Sequence, residues 1–209
     1  MNYLHEFLML TLIHFLAVIS PGPDFAIVLR QSISFGRKTA VITSLGIGAG
    51  IAIHVIYTLL GIGLLISQST YLMLSAKVLG ALYLTYLGIN LLSSKAATNQ
   101  SSLVEADNNK EDQKKAFMIG FMTNVFNPKA TLFFLAIFST IVNPHTPIAI
   151  QSIYGVWIVV TTAAWFSLVS FLFSKESVRQ RFVKQGHWFE RAMGGILLIF
   201  AGKLFLSLI

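Results

Sequence analysis

The sequence predicts an all-α integral membrane protein of six transmembrane helices, arranged as two inverted three-helix repeats with proline-broken first and fourth segments. Three observations predict it: too little charge for a surface in water, six long apolar stretches, and two proline-interrupted motifs at matching places in the two halves. Apolar residues make up 55% of the 209 and charged residues 11%, with a mean hydropathy of +0.73. A water-facing domain normally carries about 25% charged residues. The missing charge implies a surface facing lipid.

A helix needs roughly 20 apolar residues to cross about 30 Å of hydrocarbon. The stretches that qualify are Leu4 to Leu29, Ala40 to Ile66, Leu72 to Leu92, Ala116 to Ile141, Ile148 to Phe173 and Ala192 to Ile209. Several exceed the minimum, so tilt or a break is expected. Between the third and fourth lies SSKAATNQSSLVEADNNKEDQKK, too polar to bury a core and read as a flexible linker. The chain therefore divides into a first repeat over 1–93, a cytoplasmic linker over 94–115 and a second repeat over 116–209.

Orientation follows from the basic residues, which favour cytoplasmic connections. The first connection carries Arg30, Arg37 and Lys38; the third carries Lys95, Lys110, Lys114 and Lys115; the fifth carries Lys175, Arg179, Arg181, Lys184 and Arg191. The second and fourth carry none. Thus 12 of the 15 basic residues obey one rule, and six spans place both termini on the external side of a bacterial inner membrane. With no basic n-region or A-x-A site, and with Glu6 where a signal peptide is positive, the first segment is expected to stay in the mature protein.

Several function classes fall away. The net charge of +7 comes from short basic runs between apolar stretches, which fits anionic headgroups rather than nucleic acid. There is no cysteine, hence no disulfide or thiolate chemistry. The histidines (His5, His14, His54, His145 and His187) are scattered, without the spacing of a metal site. No cofactor motif appears. An enzyme would need a nucleophile–base pair or a metal motif within helical reach, and the sequence offers neither.

The two halves resemble each other. KVLGALYLTYLGINLL from Lys77 aligns with RAMGGILLIFAGKLFL from Arg191, pairing Gly80 with Gly194, Tyr86 with Phe200 and Gly88 with Gly202. SPGPD at residues 20–24 corresponds more weakly to NPK at 127–129, with Pro23 against Pro128 and Asp24 against Lys129. Because each half has three spans, the second enters the membrane from the opposite side, an arrangement common in secondary transporters.

Function concentrates at those two motifs. Proline inside a helix removes a backbone donor and clashes with the preceding turn, at about 3 kcal/mol. Pro21, Gly22 and Pro23 therefore rule out a continuous first helix. Asn124, Asn127 and Pro128 repeat the device in the fourth segment, with two side-chain amides as local donors and acceptors. Backbone groups freed in hydrocarbon must be satisfied by protein, water or ligand. Interrupted segments at corresponding places in two halves point to a transporter's binding site.

An ionised side chain at mid-membrane costs roughly 2.5–3.5 kcal/mol and is usually functional. Three readings of Asp24 and Lys129 stand side by side. They pair and only lock the halves together; or they hold a zwitterion, Asp24 taking its ammonium and Lys129 its carboxylate; or Asp24 carries the coupling proton. His54, Tyr83, Tyr86 and Trp165 are possible pocket-lining residues, with packing as the competing role. SLGIGAG, residues 44–50, lies in an apolar span and reads as close helix packing rather than a phosphate cradle. Glycine faces on segments two, three and six permit a homodimer or serve internal packing.

With SPGPDF, SLGIGAGIAIHVIYTLLGIG, GALYLTYLG, GFMTNVFNPKATLFF and GGILLIFAG in place, the chain resembles the LysE/RhtB amino-acid exporter superfamily over essentially its whole length. The resemblance implies export of a small amino acid from a bacterial cytoplasm, driven by protons, in the branch that handles threonine, homoserine and homoserine lactone. It carries roles to Pro21, Gly22, Pro23 and Asp24, and to Asn124, Asn127, Pro128 and Lys129. Two alternatives remain at this level: an inorganic cation exporter of related architecture, and a non-transporting membrane subunit.

Overall fold

A computed structural model describes residues 3–68, 70–93, 112–143 and 145–206. These form helices α1 (Tyr3–Ile19), α2 (Pro23–Ser34), α3 (Gly36–Gln68), α4 (Thr70–Leu92), α5 (Gln113–Val125), α6 (Pro128–Thr140), α7 (Ile148–Phe173) and α8 (Glu176–Leu206), with no strand among the described residues.

Both expected breaks occur at the prolines. α1 and α2 meet at a 53° bend, and α5 and α6 at 54°. Pro23 and Pro128 each open the second half-helix of their pair, where a missing N–H costs nothing because the first turn has no carbonyl to bond. At the first break Gly22 is the cap residue, with φ −173 and ψ −171, and its carbonyl accepts from Ala26 N at 2.9 Å. At the second, Asn127 caps α6 through its own side chain, Oδ1 accepting from Lys129 N at 3.0 Å.

Among the described residues Gly36–Gly61 and Ile148–Phe173 are long and apolar enough to cross a membrane, with mean hydropathies of 1.9 and 2.0, and counting each bent pair as one span raises the total there to four. α4 and α8 contribute the shorter apolar stretches Lys77–Leu92 and Gly194–Lys203. Two boundaries differ from the sequence expectation. The basic run after Lys175 is not a connection but the first half of α8, because nothing between Glu176 and Leu206 breaks helical bonding. The linker over 94–115 lies mostly outside the described residues, and its end, from Gln113, is already α5, capped by Asp112 accepting from Lys114 N at 3.1 Å.

Close approach of helices explains the glycines. α3 packs most intimately on α5 and α7, and α4 on α8 and α6. A methyl at Gly46 would collide with the Phe117 carbonyl, and one at Gly120 with that of Thr43. The aligned glycines of the two halves do different work: Gly80 faces Ala136 on α6, whereas Gly194 faces Gly88 on α4. Hydrogen bonds add to the packing, with Thr43 Oγ1 donating to the Ala116 carbonyl (3.1 Å) and Ser32 Oγ to that of Ser170 (3.0 Å). Leu60, Leu79, Ile153, Val156, Val160 and Ile199 stay exposed, a belt of large apolar side chains that suits lipid contact.

Candidate functional site

The two breaks meet, and each supplies what the other lacks. The backbone at the end of α1 leaves carbonyls without helical partners. Lys129, from the first turn of α6, reaches across and its Nζ donates to Ser20 O and Ser20 Oγ, both at 2.8 Å, and to Pro21 O at 3.4 Å. A cation is disfavoured at its own helix N-terminus and favoured at a C-terminus. The long side chain thus carries the charge from the wrong end of α6 to the right end of α1. Gly22 leaves the lysine's path open, since a Cβ there would lie 3.3 Å from Lys129 Cδ and Nζ.

Asp24 answers in the opposite direction. It stands in the first turn of α2, where the dipole favours an anion. Its Oδ2 accepts from Asn124 Nδ2 at 2.9 Å and from Asn127 Nδ2 at 3.0 Å. Asn127 thereby spends both ends of its amide, the oxygen capping α6 and the nitrogen holding Asp24. Asp24 Oδ1 and Asn124 Oδ1 are buried without a hydrogen-bond partner among the described residues. Buried acceptors left open are uncommon. Asp24 lines the region where the breaks join, whereas Asn124 Oδ1 lies against Gly50 on α3.

That region holds a cavity of about 50 Å³, room for a few waters at roughly 10–15 Å³ each. Ser20, Gly22, Asp24, Asn127 and Lys129 line one part, while Phe133, Phe134, Phe166 and Ile51 form apolar walls and His14 and Thr162 add polar groups. Among the described residues no three metal-ligating side chains converge.

The remaining expected residues take other places. Pro21, Pro23 and Pro128 are exposed and do not line the cavity; their action is on the backbone. Asn124 is fully buried behind Asp24, packed on Gly50. His54 is a supporting residue: Nε2 lies 3.0 Å from the Asn124 carbonyl and Nδ1 2.8 Å from Tyr57 Oη. The carbonyl can only accept, so Nε2 carries the proton and Tyr57 donates to Nδ1. Tyr83 donates to the Lys129 carbonyl at 2.9 Å, fixing the lysine's backbone without entering the cavity. For Tyr86 and Trp165 the structure favours the competing role. Tyr86 is 63% exposed, on the outer face of α4 opposite Gly80, Leu84 and Leu87, and Trp165 packs on the cluster of Phe25, Val28 and Phe173. Sequence reasoning missed Ser20, His14 and Thr162. Ser20 adjoined a recognised motif and His14 was a polar residue in an apolar span, but Thr162 carried no local signal.

Comparison with known proteins places the chain in a family. The LysE type translocator family model matches residues 15–208. The Threonine efflux protein of Escherichia coli (strain K12) is 30% identical over 203 residues, covering 96% of this chain and 98% of the relative. That of Salmonella typhi is 29% identical over the same shares. A membrane protein of Bacillus subtilis (strain 168) is 28% identical, covering 98% of this chain and all of the relative. No solved structure matches the chain. A broken-helix cavity inside an apolar bundle and a family match over nearly the whole length lead to one statement: the chain belongs to the LysE type translocator family, and is a membrane transporter of the amino-acid exporter kind rather than an enzyme.

Proposed function

We propose that this protein exports a small amino acid, of the threonine or homoserine kind, from the cytoplasm across the bacterial inner membrane in exchange for protons. In this reading the six helical segments are six spans in two inverted repeats, with both termini outside. The shared role of Pro23 and Pro128 and the placement of the basic residues support it.

One observation carries the proposal. A buried carboxylate oxygen without a hydrogen-bond donor among the described residues, Asp24 Oδ1, belongs to a residue lining the same cavity as an ammonium, Lys129 Nζ. A zwitterion matches that pair, its ammonium on Asp24 and its carboxylate on Lys129. The same oxygen also suits a proton. One acceptor cannot hold both, so ammonium binding and protonation exclude each other, which is the requirement for antiport. Cargo leaves outward as a proton takes its place, and the proton is released to the cytoplasm on return. With one proton entering per neutral zwitterion, a potential of 100 mV supplies about 2.3 kcal/mol, roughly a fiftyfold gradient. A cavity sized for water requires the helices to part before cargo enters. Alternating movement of the two halves about the breaks provides that.

The test is uphill efflux from inverted vesicles or proteoliposomes under an imposed pH gradient. Asp24→Asn should abolish proton-driven accumulation while the protein still inserts and folds. Undiminished accumulation by this variant would remove Asp24 from the coupling.

A further inference from the structure

The charged end of the cavity recognises what all amino acids share, so selectivity must come from its other wall. That wall is apolar except at one place. His14 on α1 and Thr162 on α7 are 2% and 1% exposed, and both line the cavity. Thr162 Oγ1 lies 3.1 Å from His14 Nε2. Threonines elsewhere in this bundle commonly bond back to the carbonyl four residues earlier, as Thr161 does to Trp157 O at 2.7 Å and Thr58 to His54 O at 2.6 Å. Thr162 instead turns its hydroxyl across to another helix.

Helix packing alone does not call for this pair. Replacing both partners of a buried hydrogen bond by apolar groups of the same shape is close to neutral. The pair also keeps capacity for more: a threonine hydroxyl offers one donor and two acceptor positions, and an imidazole has a second nitrogen. His14 stands five residues before the end of α1 at Ile19, roughly 7–8 Å along the helix axis. His14 and Thr162 line the same cavity as Asp24 and Lys129, so the side chain of a small amino acid held there lies in the space the pair lines. Phe133, Phe134 and Phe166 would enclose its carbon skeleton.

We propose that His14 and Thr162 form the side-chain subsite of the cavity and read the hydroxyl of a hydroxylated amino acid. This rests on the exporter reading above. The subsite hydroxyl and imidazole exchange their mutual bond for bonds to the cargo hydroxyl. An apolar cargo of equal size leaves the pair with nothing gained, and a cargo without the hydroxyl is discriminated against.

The experiment compares efflux of radiolabelled threonine and valine, which differ by a hydroxyl in place of a methyl, from proteoliposomes of the full chain. Wild type should favour threonine by about tenfold or more. Thr162→Val and His14→Leu should each bring the threonine-to-valine ratio toward one, and Thr162→Ser, which restores a hydroxyl, should keep it. A purely structural tie between α1 and α7 would lower both effluxes together and leave the ratio intact, overturning the proposal. Equal export of both amino acids by wild type would overturn it too, while leaving the exporter reading in place. A wild type that exports neither these nor homoserine overturns the exporter reading, and the subsite with it.

Discussion

The two breaks meet the same physical problem with opposite chemistry. The first, Ser20 to Asp24, uses backbone: a glycine without a side chain, carbonyls open to a visitor, and a single carboxylate. The second, Asn124 to Lys129, uses side chains: one amide caps its own helix, two amides reach out, and a long cation crosses to the partner. Each would be unsatisfied alone. Lys129 closes the carbonyls of Ser20 and Pro21, and Asn124 and Asn127 hold Asp24. The two motifs act as complements. The lesson is that the site belongs to neither half. When the two sets of donors and acceptors are matched, Asp24 Oδ1 and Asn124 Oδ1 are left over among the described residues, and of these two residues only Asp24 lines the cavity.

That complementarity can be broken from either side. The largest effect is expected from Lys129→Met, which keeps the packing of the stem and removes the charge. Hydrogen bonds to a charged group contribute about 1.5–3 kcal/mol. Efflux should fall on the order of a hundredfold, measured as initial rate in proteoliposomes. A rate near wild type would show that the first break satisfies its own carbonyls. Next come the two asparagines. Asn127→Ala loses the cap of α6, about 1 kcal/mol, and a donor to Asp24, about 1.5 kcal/mol more. Asn124→Ala loses a donor to Asp24 and its packing on Gly50, but no cap. Thermal unfolding in detergent should place Asn127→Ala below Asn124→Ala, and the reverse order would mean that packing at Gly50 outweighs the cap. The smallest effect belongs to Gly22→Ala. Its Cβ would sit 3.3 Å from the lysine's Cδ and Nζ, so the side chain must shift by a few tenths of an ångström. A loss of efflux of a few fold, with stability changed by no more than about 1 kcal/mol, would place the tolerance of the site at the lysine's path.

Much of this was legible in the residues. Pro21, Pro23 and Pro128 announced both breaks, because proline's missing donor acts locally whatever surrounds it. Asp24 and Lys129 stood out because charge in an apolar span is costly wherever it points. Tyr86 and Trp165 stayed open between pocket and packing for the converse reason. An aromatic residue in an apolar helix costs little facing lipid or core, so only packing decides its direction. α8 also ran further than expected, since basic residues mark a side of the membrane but do not end a helix.

By itself, the amino-acid order determined that the chain is helical and apolar, where two of its helices must break, and which charges sit beside those breaks. These are consequences of single residues acting on their own backbone or on the surrounding solvent. Only the tertiary structure decided who satisfies whom. It set Lys129 on the carbonyls of Ser20 and Pro21, gave Asp24 to two asparagines about a hundred residues away, and brought His14 and Thr162 into one cavity from helices 148 residues apart. The close crossing of α3 and α5 at Gly46, Gly50 and Gly120 seats Asn124, one of those partners. A hydrogen bond is fixed by distance in space, which no local pattern of residues records.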